Sequence, residues 1–153
     1  MAIVCFFSES SLSADSIVAY YWNFGDGTSD STRQPYHTFG QPGRYPISLS
    51  VRDRRGCSDT IRDTLTIYSP PQAQISIAGS CGPDSLCLGQ SYQLSDTSGT
   101  DSLTGNLTGW QWDLDDDGMV DTTLQSFNYT FSDTGWHRIE MQVNSQYGCT
   151  DTV

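Results

Sequence analysis

The stretch Asp113-Leu114-Asp115-Asp116-Asp117-Gly118-Met119-Val120-Asp121 sets carboxylates at alternate positions around a glycine turn. On a reversing chain such groups converge on one point, and oxygen ligands so arranged suit a hard cation such as Ca2+. Asp113, Asp115, Asp117 and Asp121 take the first, third, fifth and ninth places of a cation loop. The twelfth, where a bidentate Glu usually closes the shell, is Leu124. The competing reading is a solvated acidic hairpin whose first Asp accepts hydrogen bonds from its own turn. An earlier loop offers only Asn23, Asp26 and Asp30, a poorer ligand set.

Other reactive residue types are sparse. The two histidines, His37 and His137, have no Gly-x-Ser-x-Gly or metal-type His pair beside them. Structural places are expected for both. Nothing in the chain therefore points to nucleophilic catalysis, and no catalytic residue is assigned. Of the five cysteines, Cys81 and Cys87 bracket a short loop and could staple it, although spacing alone does not decide connectivity. Cys57 and Cys149 are unlikely partners of each other, and Cys5 reads as a buried thiol on a strand. Tyr20, Tyr21, Trp110 and Trp136 exceed what a small core needs, and strand alternation turns Tyr21 away from Tyr20 and Trp22. An outward ring can stack on a sugar or cover a neighbouring repeat.

The elements that position these residues recur. Tyr20-Tyr21-Trp22-Asn23-Phe24-Gly25-Asp26-Gly27 is an aromatic strand running into a tight turn, because aromatic residues favour a half-buried pleat and Asp-Gly tolerates positive φ. Trp110-Gln111-Trp112-Asp113-Leu114 repeats it. Tyr36-His37-Thr38-Phe39 is echoed by Asn128-Tyr129-Thr130-Phe131, and Pro42-Gly43-Arg44-Tyr45 by Thr134-Gly135-Trp136-His137. Ile47, Leu49 and Val51 correspond to Ile139, Met141 and Val143, and Gly56-Cys57-Ser58-Asp59-Thr60 to Gly148-Cys149-Thr150-Asp151-Thr152. Landmarks in one order at nearly constant offset mean an internal repeat. Period-2 alternation without helical period makes the class all-β. Trp22 and Trp112 are expected to be the buried centres of their repeats.

The run from Trp22 to Asp53, with its Trp-Asn-Phe-Gly-Asp-Gly, His-Thr-Phe and Pro-Gly-Arg-Tyr steps, resembles the PKD (polycystic kidney disease) repeat. The likeness covers almost the whole chain. It departs at Asn23 and Phe39 in the first repeat, and at Leu114 and the Asp-rich turn in the second. The resemblance implies two tandem immunoglobulin-like β-sandwiches. The expected boundaries are 1–68 for the first repeat and 73–153 for the second, with 69–72 (Ser-Pro-Pro-Gln) as a semi-rigid linker. Aligned with the second repeat, Phe7 falls on Leu94, so the first repeat is expected to lack its opening strand. The second is expected to lack its closing strand beyond Val153. Excision from a longer repeat array would explain both, as would strands supplied by neighbouring chains.

The 18 acidic residues face only 7 basic ones, for a net charge of −11. That balance opposes nucleic acid and anionic membranes as partners, and no apolar run is long enough to insert into a bilayer. Low charge density, abundant Ser and Thr and short strands suggest a secreted or cell-surface protein. Asn106-Leu107-Thr108 and Asn128-Tyr129-Thr130 match the N-glycosylation sequon. Triplets such as Asp63-Thr64-Leu65 resemble the O-glycosylation signal of exported proteins of gliding Gram-negative bacteria. The expected function is a non-catalytic structural or adhesion module of a larger surface or filament-forming protein. Its partners would be neighbouring repeats or other copies of the chain, and possible surface glycans. The alternative is an accessory carbohydrate-binding or spacer module of a secreted hydrolase.

Overall fold

The computed structural model describes the backbone of residues 2–5, and residues 17–79, 81–82 and 85–153 in full. All regular structure among them is β, and the chain divides into two units, Met1–Ile67 and Tyr68–Val153. Unit 1 contains β1 (Ala2–Cys5), β2 (Ile17–Asn23), β3 (Ser29–Asp30), β4 (Tyr36–Phe39), β5 (Gly43–Asp53) and β6 (Ser58–Ile67). Its sheets are β1-β4 and β3-β2-β5-β6. Unit 2 contains β7 (Ile75–Ala78), β8 (Ser91–Asp96), β9 (Leu107–Asp113), β10 (Ser126–Thr130), β11 (Glu140–Ser145) and β12 (Thr150–Thr152), in sheets β10-β8-β7 and β12-β11-β9. All the pairings are antiparallel, as in an immunoglobulin-like sandwich.

Each core is built on the expected tryptophan. Trp22 lies opposite Leu49, and Trp112 opposite Met141. Trp22, Phe24, Phe39, Leu49 and Val51 form one cluster. Tyr92, Leu94, Trp112, Leu114, Phe131, Met141 and Val143 form the other. Each indole also donates to a backbone carbonyl of the loop that follows it: Trp22 Nε1 to Thr32 at 3.2 Å, and Trp112 Nε1 to Leu124 at 2.9 Å. The ring thus pins the hairpin to the core by packing and by a satisfied polar edge. After β2 the chain reverses through Gly25, whose φ of +77° places it in the left-handed region. A Cβ there would stand 2.7 Å from the Pro46 carbonyl oxygen, so this turn requires glycine.

One expected register shifts. The ladder pairs Cys5 with Tyr36 as Gln93 pairs with Asn128, one residue out of the register that sets Phe7 on Leu94. An unbroken apolar run carries no period-2 mark to choose between the two registers. Phe6 and Phe7 lie outside the described residues, as does the Cys5 side chain. In unit 2 the strand carrying Met141 and Val143 opens at Glu140. In unit 1 the opening residues of β5 are paired by the second half of β6. In unit 2 β12 pairs with Gln142–Asn144, and Val153 exchanges backbone hydrogen bonds with Met141.

Residues 69–72 pack into unit 2. Ser69 is buried and donates to Asp101 Oδ1 at 2.8 Å, Thr104 Oγ1 donates to the Pro70 carbonyl, and Gln72 exchanges backbone hydrogen bonds with Gly99. The Asp101 carboxyl is held below its usual range by the Ser69 hydroxyl first, then by the Thr104 and Leu103 amides. Cys81 and Cys87 form a disulfide with Cα atoms 5.7 Å apart, while Cys57 and Cys149 are free thiols.

Candidate metal site and the neighbouring groove

β9 ends at Asp113 and the chain turns through Asp116, whose φ of +61° is left-handed, and Gly118. Asx chemistry closes this turn. Asp113 Oδ1 accepts from the Asp116 amide at 2.8 Å and the Asp115 amide at 3.3 Å, and Oδ2 from Gly118 at 2.8 Å. Burial opposes ionisation of Asp113, but these backbone donors outweigh it and hold the carboxyl below its usual value. Asp117 Oδ1 accepts from the Met119 amide at 2.7 Å. The turn brings carboxylate oxygens of Asp113, Asp115 and Asp117 within 4.8 Å of one another, with Asp115 and Asp117 exposed. Among the described residues this is the one acidic or thiol–imidazole group of three so gathered.

The fourth expected ligand is placed differently. Asp121 donates its amide to the Trp112 carbonyl, and its Oδ2 accepts from the Leu114 amide at 2.8 Å. It closes the hairpin and stands outside the group of three. Three carboxylates fit a hard cation only with water or backbone oxygens completing a shell of six to eight. Oxygens already accepting one N–H keep a second lone pair for a cation. Arg138, 3.4 Å from Asp116, places a competing positive charge on the same loop.

The first loop gathers no such group. Asn23 Oδ1 accepts from Gly25, Asp26 Oδ1 from both donors of Thr28, and Asp30 Oδ1 from both donors of Thr32. Asp26 Oδ2 lies 2.6 Å from His37 Nε2. The Thr28 hydroxyl first, then His37 and the Thr28 amide, lower the Asp26 pKa from its ordinary 3.8 to about 2, against the opposing effect of burial. The His37 ring stacks on Phe24 at 4.1 Å and meets Phe39 edge-on, so it braces the core. His137 lies 4.9 Å from the Phe131 ring, with Nε2 3.4 Å from the Asp133 carbonyl.

Of the surplus aromatics, Tyr20 and Trp110 pack against the cores, Tyr21 is half exposed and Trp136 is fully exposed. Trp136 flanks a groove of about 410 Å3 in unit 2, with Ile77, Leu86, Leu88, Phe131 and Ile139 among its walls. Sequence reasoning missed this groove, because Leu86 and Leu88 reach it through the disulfide loop. The available signal was that the Leu-Cys-Leu step and Ile77 have more aliphatic surface than one small core needs.

The PKD-domain profile matches residues 3–67 and again 73–153. The chain belongs to the PKD family. Each unit is thus one PKD domain, and the all-β tandem architecture is that of the family. Among curated proteins the PKD pair is 29% identical over 149 residues to the pre-pro-metalloprotease PrtV of Vibrio cholerae, covering 95% of this chain and 15% of that protein. It is 37% identical over 60 residues to collagenase ColA of Bacillus cereus, covering 39% of this chain and 6% of the other. Against a microbial collagenase of Vibrio alginolyticus it is 38% identical over 65 residues, covering 42% and 8%. The pair therefore spans a small fraction of each of these relatives. A solved structure of the fibronectin(III)-like modules of Clostridium thermocellum CbhA aligns over 93% of this chain and 79% of its own. That alignment has a TM-score of 0.43 and 13% identity.

Proposed function

We propose that this PKD pair is a non-catalytic accessory or spacer module of a secreted hydrolase, working outside the cell. The observation that carries the reading is the alignment of nearly the whole pair with a fraction of a pre-pro-metalloprotease, with collagenases matching one repeat's length. The polar groups fit a scaffolding role: Asp113, Asp26 and His37 are spent on closing turns and bracing cores. No helix among the described residues is long and apolar enough to cross a membrane. The parent gene tests the reading. A flanking peptidase domain, whose action on insoluble substrate drops when the pair is deleted while action on a small peptide persists, supports it. An uninterrupted run of further PKD repeats would favour the second reading, a stalk or adhesion module of a large surface protein.

The same reading includes a Ca2+ site at Asp113, Asp115 and Asp117, with Asp121 closing the loop rather than ligating. Three carboxylates and water give modest affinity, so the site stabilises unit 2 only in a calcium-rich exterior. Ligand linkage requires the melting temperature of unit 2 to rise with Ca2+ concentration. The rise should vanish in Asp115→Asn/Asp117→Asn. Superimposable melts in Ca2+ and in chelator at matched ionic strength would remove the site.

A further inference from the structure

The charge of the chain is divided unevenly. Unit 1 holds six basic and seven acidic residues and unit 2 one basic and eleven acidic, so their formal charges are −1 and −10. Strand alternation sorts these charges onto corresponding sheet faces. In unit 1 the buried Leu49 and Val51 turn Arg44, Ser48 and Arg52 of β5 outward, and the ladder sets Arg62 of β6 beside Ser48 on the same face. Asp59 and Asp63 are paired with Val51 and Ile47 and so fall on the other side. Steps of four residues space the three arginines at about 13 Å along the strands. All three are exposed, and none has an ion-pair partner among the described residues. The corresponding face of unit 2 has the opposite sign. There the buried Trp112, Met141 and Val143 turn Asp113 of β9 and Glu140 and Gln142 of β11 outward. Glu140 is paired directly with Asp113, where unit 1 pairs Ser48 with Asn23. Two carboxylates so placed repel each other, and Arg138 divides its guanidinium between Glu140 at 3.6 Å and Asp116 at 3.4 Å. The pair stands among the walls of a recess of about 160 Å3, with Gln111, Gln142 and Met119.

We propose that the outward face of the β12-β11-β9 sheet is a docking surface for a second copy of this chain, which lays its arginine row from β5 and β6 against it. One guanidinium of the row enters the recess and donates to Asp113 and Glu140 together. Two features select this occupant. A like-charged pair across a ladder calls for a cation that reaches both members, and the planar guanidinium fork binds two carboxylates at once. The complement, moreover, is on the same chain: a row of arginines whose own carboxylates have been sorted to the far side of the sheet. The methylenes of an arginine also suit the apolar Met119 beside the acids. Because the two faces differ and each copy carries both, the contact is heterologous and adds copies head to tail. Charge pairs at an exposed surface are weak, so the association belongs to high protein concentration and low salt. It stands independently of the hydrolase reading.

The test is sedimentation equilibrium of the intact chain in chelator, up to about 1 mM protein, at about 20 mM and about 300 mM NaCl. Self-association is expected at the lower salt and should weaken at least about tenfold at the higher. In the 15N-labelled chain the amides of Gln111, Glu140 and Gln142 should shift with protein concentration. Two variants separate the faces. Arg44→Gln/Arg52→Gln/Arg62→Gln removes the row, and Glu140→Arg reverses the recess; both change exposed or half-exposed side chains. Each alone is expected to stay monomeric, and their mixture to form a 1:1 complex, since each keeps the face that the other has lost. The proposal is overturned if the wild-type chain remains monomeric at low salt with these amides unmoved. It also fails if the shifts are independent of concentration, if either variant associates as the wild type does, if the mixture forms no complex, or if a polyuronate binds the arginine row while copies of the chain stay apart.

Discussion

Asp26 and Asp113 stand at matching turns, and their surroundings give them different work. Asp26 shares its oxygens between Thr28 and His37, and its pKa falls to about 2. Asp113 is wrapped by three backbone amides and so shapes the acidic turn. A carboxyl whose pKa is lower folded than unfolded adds stability that is complete above the unfolded value and vanishes as pH falls through the folded one. For Asp26 that window runs from 3.8 down to about 2. Asp26→Asn should therefore lower the melting temperature of unit 1 at pH 7, and the gap from wild type should close between about pH 4 and pH 2. Thermal melts across that range check it, and a gap that stays constant would show that charge plays no part in the turn.

At the scale of elements, each hairpin is held by a tryptophan whose ring is buried and whose nitrogen is bonded across the turn. Truncating such a ring removes apolar burial and leaves a cavity, a loss of about 3–5 kcal/mol. A unit of fewer than 90 residues has little more than that to spare. Trp112→Ala is expected to abolish the cooperative transition of unit 2 while unit 1 keeps its own. Calorimetry reads both together, and survival of the unit 2 transition with a small shift would contradict the packing described. The disulfide acts on a smaller element. It holds Leu86 and Leu88 at the groove, and Tyr92, itself in the core, bonds the Cys87 backbone on either side of its hydroxyl.

For the molecule as a whole, charge is the dominant long-range term. A net charge of −11 on 153 residues means self-repulsion that monovalent salt screens, with a Debye length shrinking to ~10 Å at 0.1 M. Raising NaCl from low concentration to about 0.3 M should raise the melting temperature of both units, whereas Ca2+ at matched ionic strength should add a further rise in unit 2 alone. An indifferent response to NaCl would mean that the acidic residues are locally compensated, as Asp26, Asp101 and Asp113 are by their own turns.

The repeat, the all-β class and the two tryptophan centres were legible in the sequence because each rests on local pattern: a recurring order of landmarks and a period of two. The gathering of Asp113, Asp115 and Asp117 followed from spacing for the same reason, a short turn having few ways to arrange alternate carboxylates. Asp121 was out of reach of that argument. Its role depends on the Leu114 amide across the hairpin, and register between strands is set by contacts far apart in the chain. The placement of Ser69–Gln72 inside unit 2, through Asp101, Thr104 and Gly99, was hidden likewise, since a Pro-Pro step reads alike in a free spacer and in a packed one. The groove is the clearest case. Trp136, Leu86 and Ile77 come from three separate segments, and only the closing of the sandwich, with residues 136–139 left out of any ladder, decides that they meet.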